Sequence, residues 1–454
     1  MVRYLDRFFQ FTAAGSSLRT EVVAGLSTFA AMAYIICMQP ALLSGSLPGM
    51  TATGMPMDAL LTTTCLVSAF GTLLMGLLAN YPVGLAPGMG SNFFFVFSII
   101  PACAVALGVA VGHPAGWQAA LGVILVSGVI FLVISLTRFR SALIYTVSDS
   151  QKSAIAAGLG LFIGMLGLRS GHIIQIKGDQ LALGESFSDP AVIVFAVGLL
   201  ISAMFQVRGW KGALLAGIGG SALTAILLGQ IEYKGIIGIP ANPLPVMFRA
   251  DVGSVLEYAV KLLPLVLICV FMDLFDTMGT IIGVSARTGL IKNGRIERGG
   301  RVFAADSIAT VAGSLGGHST VTSYVESAAG IEAGGRTGLT AVVVGICFIL
   351  SLLFYPLILG VASYGPTTSA ALVMVGALML RSCLDIDWSD ASEAIPAFLI
   401  IASIPLSNSI AGGIALGLGV YPFIKLLGGK GRSIGIFSYV LGILLLLYLL
   451  FRIV

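Results

Sequence analysis

Residues 81–97 read YPVGLAPGMGSNFFFVF, with Pro82, Gly84, Pro87, Gly88 and Gly90 crowded into the first ten positions. Proline lacks a backbone N–H and its ring clashes with the preceding turn, so a helix cannot run through this stretch. The residues that follow are apolar. The segment therefore reads as an extended piece leading into a half-helix. A second stretch of the same kind, AGSLGGHSTVTSYVESAAG at 312–330, places Gly313, Gly316 and Gly317 before its apolar part. Unpaired backbone at membrane depth is tolerated only where it lines a cavity or is buried in protein. Paired interrupted segments in two halves of a chain therefore point to a binding site near the bilayer midplane. Close helix packing accounts for many of the other glycines among the chain's 58.

The composition says why membrane depth is the relevant frame. Of 454 residues, 57% are hydrophobic and only 10% are charged, against about 25% charged in soluble domains. A spanning helix needs roughly 20 apolar residues, and apolar runs fall near 21–43, 57–79, 82–100, 117–137, 148–168, 190–207 and 211–230. They continue near 262–283, 302–315, 319–333, 337–359, 366–381, 394–408 and 410–427, with a further apolar tail at 434–453 that either spans or lies along the inner face. Each interrupted segment follows two spans of its own half and precedes four more. Seven is odd, so a repeated seven-span half comes out inverted. The expected fold is all-α integral membrane, about fourteen segments as 7+7 inverted repeats with half-helices at segments 3 and 10. The first repeat covers 1–231, the second 232–427, and 428–454 forms the tail.

Charge placement supplies an orientation. With the N-terminus in the cytoplasm, inner loops receive Arg138, Arg140, Arg208, Lys211, Arg287, Lys292, Arg295, Arg298, Arg301, Arg336, Arg381, Lys425, Lys430 and Arg432. Outer segments hold only Arg169, Lys177, Lys234, Arg249 and Lys261, the asymmetry the positive-inside rule demands. The amphipathic N-terminus lacks the apolar core and cleavage site of a secretory signal. No Lys/Arg stripe points to nucleic acid. The six cysteines lie singly, which implies neither a zinc site nor a disulfide framework.

A carboxylate in a span costs about 2.5–3.5 kcal/mol on insertion scales and is a functional candidate by default. Asp273 and Asp276 stand three apart in LICVFMDLFDTMGTIIG (267–283), Asp306 in VFAADSIATVAG (302–313), and Glu326 three residues past Ser323. A buried carboxyl that gains and loses a proton changes from acceptor to donor toward a substrate and sheds the charge that opposes movement through lipid. That is a device for proton symport. Alternatively, such an acid caps a helix or pairs with a hydroxyl such as Thr277 or Thr280. Asn92, just after Gly90, offers an amide that both donates to and accepts from a heterocycle, or else caps the half-helix. Phe93, Phe94 and Phe95 offer a stacking face for a flat ligand. His318 either titrates near neutral pH or caps its half-helix.

Asn92, Asp273, Asp276 and Glu326 sit in stretches that resemble the nucleobase–ascorbate transporter (xanthine/uracil permease) family, and most of all its adenine/guanine/hypoxanthine, azaguanine-resistance-like branch. The stretches are RTEVVAGLSTFAAMAYIICMQPALL (19–43), APGMGSN (86–92), MDLFDTMGTIIGV (272–284) and STVTSYVESAAGIEAGGRTGLTAVVVG (319–345). The resemblance implies a core domain of spans 1–4 and 8–11 and a gate domain of spans 5–7 and 12–14. It implies elevator-like, proton-coupled uptake of purine bases across the inner (cytoplasmic) membrane by a homodimer, driven by the proton gradient with no cofactor and no metal. It also implies that Asp273, with Asp276 close second, binds substrate together with Glu326 and Asn92; Gly90, Phe94, His318 and Ser323 are further candidates from the residues themselves. Proton coupling falls to Glu326, Asp273, Asp276 and Asp306. Two departures, Phe93 for the branch's usual alanine and His318 in place of its threonine, bear on which purine is chosen.

Two rival classes follow from the same residues. An anion carrier of similar repeat favours a positive pocket, whereas the pocket expected here holds acids and no Lys or Arg. An intramembrane enzyme needs a signature such as GxGD, HExxH or Walker A, and none is present.

Overall fold

The computed structural model describes residues 2–47, 50–137, 147–177, 180–184, 186, 188–288, 291–292 and 295–450. Arg138 and Arg140 lie outside them. After a short amphipathic helix α1 (Val2–Phe9), the first half contains α2 (Leu18–Met32), α3 (Ile35–Leu43), α4 (Met57–Leu74), α5 (Met89–Phe94), α6 (Ile100–Leu107), α7 (Pro114–Leu136), α8 (Asp149–Ser170), α9 (Pro190–Val207) and α10 (Ala213–Leu227). The second half contains α11 (Val252–Glu257), α12 (Ala259–Thr288), α13 (Gly299–Leu315), α14 (Ala328–Glu332), α15 (Gly338–Ser351), α16 (Tyr355–Ser363), α17 (Pro366–Leu380), α18 (Ala391–Ser407) and α19 (Ile410–Leu427). The apolar tail forms α20 (Ile436–Leu450), which packs along α19. Among the described residues, six short strands make three antiparallel ribbons: β1 (Leu85–Pro87) with β6 (Val321–Ser323), β2 (Ile174–Lys177) with β3 (Gln180–Leu183), and β4 (Ile291–Lys292) with β5 (Arg295–Ile296).

The helix starts follow from local chemistry. Ser17, Ser148, Asp189, Asp251, Thr337, Asp390 and Ser409 each accept a bond from a first-turn N–H, as capping residues should. Pro114, Pro190 and Pro366 occupy first helical positions, where a missing N–H costs nothing. One cap comes from far away in sequence. Glu21 of α2 is fully buried, and its carboxylate accepts from the backbone N–H groups of Arg336, Thr337 and Thr340 and from the Thr340 hydroxyl at 2.6–3.3 Å. That fixes the start of α15 against α2.

Among the described residues, nine helical stretches are individually long and apolar enough to cross a membrane. The expected seventh and thirteenth spans are the shorter apolar helices α10 and α18, and the expected eighth, ninth and tenth correspond to α12, α13 and the broken segment. The helices pack in two groups. In one, α4, α12 and α13 pack on the β1–β6 ribbon, with α7 against α12 and α13 and α15 against α2 and α4. In the other, α8, α9, α10, α17, α18 and α19 pack on each other. Glycine permits close approach in the second group: a Cβ at Gly376 of α17 would stand 2.5 Å from the Gly160 carbonyl oxygen of α8.

The second group also holds a buried ion pair. Lys425 Nζ lies 2.8 Å from Glu393 Oε1 and 3.3 Å from Asp390 Oδ2. Glu393 further accepts from Ser148, Gln151 and Tyr421 at 2.6–3.1 Å, so α8, α18 and α19 are tied at one point. Hydrogen bonds from Lys430 and Ser392 hold the Asp390 carboxyl, at the cap of α18, well below the usual carboxylate range. Breaking a buried pair from one side costs about 3–5 kcal/mol. Lys425→Met is therefore expected to lower the thermal unfolding midpoint in detergent clearly, whereas Lys430→Met, at an exposed partner, should barely move it. Equal midpoints for the two variants would remove the pair from the fold's stability.

Candidate functional site

The two helix breaks meet each other. β1 and β6 pair antiparallel with Leu85 opposite Ser323, Ala86 opposite Thr322 and Pro87 opposite Val321. Gly88 N–H continues the ladder to Thr320 O at 3.0 Å, and Tyr324 N–H to Gly84 O at 3.0 Å. A ribbon of two strands has two open edges, and every such group in an apolar setting needs a partner. Side-chain hydroxyls supply them. Thr72 donates to Leu85 O at 2.8 Å and accepts from Leu85 N–H at 2.9 Å. Thr310 lies 2.9 Å from Val321 O, Ser327 accepts from Gly84 N–H at 3.0 Å, and Tyr324 donates to Pro87 O at 2.6 Å. The ribbon also explains two glycines. A Cβ at Gly88 would stand 2.8 Å from Thr322 Cγ2, and Gly317 has φ +86° with Val246 pressed against it.

Each strand hands on to a half-helix, so two helix N-termini lie near one another. β1 leads through Gly88 into α5, and β6 leads through a 3₁₀ turn at Val325–Ser327 into α14. A cavity of about 760 Å³ opens where they converge, within the ~300–1,000 Å³ of small-molecule sites. Its wall includes Gly88, Gly90, Ser91, Tyr34, Asp276, Thr280, Ser323 and Glu326. The Glu326 Oε1 accepts from the Tyr34 hydroxyl at 3.0 Å. Asp276 is open to the cavity, and its Oδ2 lies 3.6 Å from where a Cβ on Gly88 would be. Two carboxylates therefore flank two helix N-termini, whose partial positive ends stabilise negative charge and offer free N–H donors. The arrangement can hold a flat, hydrogen-bonding molecule between acceptors and donors.

The remaining expected site residues are placed behind this wall. Asp273 is 2% exposed, with Thr310 2.8 Å from its Oδ2 and its Oδ1 without a partner among the described residues. Asp306 is fully buried and accepts from Thr277 at 2.5 Å and Ser323 at 2.8 Å. Asn92 and His318 are fully buried in one polar cluster with Gln39, Thr63 and Ser319. Gly88 stands at the cap of α5, and Tyr324 and Ser327 stand at the starts of the 3₁₀ turn and α14, so neither Asn92 nor His318 acts as a helix cap. Phe94 is buried, and Phe93 packs on Phe97 and Phe162. The aromatic triplet faces packed protein rather than the cavity.

One expectation is corrected. The cavity is not free of basic residues: Lys152 of α8 and Lys211 also line it. Lys152 stands 4.9 Å over the Phe275 ring and pairs with Asp149 at 2.9 Å. Lys211 donates to the Ala329 carbonyl of α14. Both belong to the second helix group and its α9–α10 connection, whereas the acids belong to the first.

Residues 19–416 match the model of the Permease family of xanthine/uracil permease type. A guanine/hypoxanthine permease of Bacillus subtilis is 37% identical over 92% of this chain and 94% of its own length. An adenine permease of Escherichia coli is 35% identical over 98% of this chain and 96% of its own. Among solved structures, the transmembrane domain of a cyanobacterium bicarbonate transporter superposes with a TM-score of 0.60, covering 88% of this chain and 97% of that one at 14% identity. That last likeness is one of fold.

Proposed function

The chain belongs to the Permease family, a family of transporters and not of enzymes, and on that premise we propose that it carries purine nucleobases inward across the cytoplasmic membrane in symport with protons. The observation that carries this reading is the pairing of Asp276 and Glu326 on one cavity at the N-termini of two half-helices. Purines present donors and acceptors along one edge. Helix-terminal N–H groups answer the acceptors, and carboxylates answer the N–H groups. Relatives named as guanine/hypoxanthine and adenine permeases support the choice of substrate class.

In this reading Asp276 rather than Asp273 contacts the base, with Glu326, Ser323 and the backbone around Gly90. Asp273 and Asp306 belong to the proton path. Support comes from proton counting at Thr310, whose hydroxyl owns one hydrogen yet lies near both Val321 O and Asp273 Oδ2. With Asp273 ionised, two acceptors share that hydrogen. With Asp273 protonated, the acid donates to Thr310 and Thr310 donates to Val321. The ribbon's backbone is thereby coupled to a carboxyl's protonation state.

Spans 1–4 and 8–11 form the moving core, spans 5–7 and 12–14 a static, homodimeric gate, and the N-terminus is cytoplasmic. The cavity's lining by both helix groups supports a site carried past a fixed partner. Lys152 and Lys211 favour one alternative, an anion carrier on the same fold. Proteoliposomes separate the two: labelled hypoxanthine or adenine is expected to accumulate under an inward proton gradient. Uptake of bicarbonate or sulfate with no purine uptake would overturn the reading.

A further inference from the structure

Gln39 sits in α3 just before Pro40, fully buried, and outside the cavity wall. Its amide touches both halves of the chain. Gln39 Nε2 lies 3.0 Å from Asn92 Oδ1 and 3.2 Å from His318 Nδ1. Asn92 Nδ2 in turn donates to Gln39 Oε1, so the two amides form a reciprocal pair. Asn92 Oδ1 also accepts from the Ser319 hydroxyl.

Amide and imidazole orientations follow from the bonding network, and here one carbonyl anchors it. Pro87 O lies 3.3 Å from the Asn92 amide and can only accept, so the edge of Asn92 facing it is Nδ2. The opposite edge is then Oδ1, which requires a donor from Gln39. Gln39 spends one N–H on Asn92 Oδ1 and has one left, aimed at His318 Nδ1. That nitrogen must accept, so the ring proton sits on Nε2 and is donated to Thr63 Oγ1 at 2.9 Å. The Thr63 hydroxyl then donates to a carbonyl of its own helix, Ala59 O or Leu60 O, both at 3.2 Å. Every donor meets one acceptor along the chain.

We infer that Gln39 is a positioning residue that holds the two helix breaks in register, through Asn92 on one side and His318 with Ser319 on the other, and that His318 serves as a neutral Nε2–H relay of this network rather than as a proton carrier. The inference deepens the transport reading and rests on it. A buried network with every member satisfied fixes a unique arrangement, while a half-satisfied one does not. The half-helix termini at Gly88 and Tyr324 stand only a few residues from Asn92 and His318, so loss of the clasp misplaces the cavity's donors.

The test is a KM-against-Vmax comparison in proteoliposomes with labelled hypoxanthine. Gln39→Leu is expected to raise KM at least tenfold with Vmax and recovery of folded protein much less affected. His318→Leu should do the same. His318→Gln presents an acceptor toward Gln39 and a donor toward Thr63, so it should keep KM within about threefold of wild type and retain proton-driven accumulation. Should Gln39→Leu fail to fold, Ser319→Ala cuts the clasp on one side only and should still raise KM severalfold. An unchanged KM in these variants, or lost accumulation in His318→Gln, overturns the inference. Absent purine uptake by the wild type would instead overturn the transport reading itself.

Discussion

Glu326→Gln is expected to abolish accumulation of purine against its gradient, by more than tenfold, while leaving the folded protein intact. Glutamine matches glutamate in shape, and its carbonyl oxygen can still accept from the Tyr34 hydroxyl that now bonds Glu326 Oε1. What it lacks is a proton to take up and release. Glu326 opens the half-helix that leads from β6, and it faces the cavity, so its charge state is felt by the base and by the helix terminus together. Asp276→Asn should behave alike, since among the described residues nothing donates a hydrogen bond to that carboxylate and a substrate N–H is free to do so. The measurement is uptake into proteoliposomes with and without an inward proton gradient. Wild-type accumulation by Glu326→Gln would take this acid out of the coupling.

Asp273→Asn is expected to separate exchange from accumulation. Asparagine presents an N–H toward Thr310, as the protonated acid would, so Thr310 can donate to Val321 O and the ribbon edge stays satisfied. The core is thereby fixed in the arrangement of the protonated state. Exchange of internal for external labelled base, which needs no net proton release, should persist within a few-fold of wild type. Accumulation under a proton gradient should fall by at least tenfold. Loss of both activities in a folded variant would give Asp273 a direct hold on the base, and retention of both would remove it from the mechanism.

The fold was largely legible because its signals are coarse and redundant. The apolar runs at 366–381 and 410–427 became α17 (Pro366–Leu380) and α19 (Ile410–Leu427). The glycine and proline clusters became the two breaks, since no helix can absorb that density of either residue. Where a single proline acted alone, the reading was blunter: the run at 337–359 is two helices, α15 and α16, with Pro356 in the first turn of the second. The site was less legible because it depends on azimuth. Residues three apart on a helix differ by about 60° in direction, enough to turn Asp276 into the cavity and Asp273 onto Thr310. Composition cannot decide which acid turns which way. Nor does the sequence distinguish Thr72 and Thr310, which close the ribbon's edges, from other threonines in spans, or announce that Gln39 reaches both breaks. A lone glutamine in an apolar run is a usable signal, since burying its amide needs partners.

The β1–β6 ribbon joins residues more than 230 positions apart. On a ribosome adding roughly 5–20 residues per second, the first strand emerges about ten to fifty seconds before its mate. Through that interval the nascent first half holds Leu85–Pro87 with half its backbone bonds unmade, and Thr72 can satisfy only one edge. A lipid-exposed strand in that condition is untenable, so the early helices must shelter it, in water or against one another, until the second half arrives. Neither half made alone owns a finished site. Assembly of the chain in the bilayer and assembly of the cavity at its two helix breaks are one event.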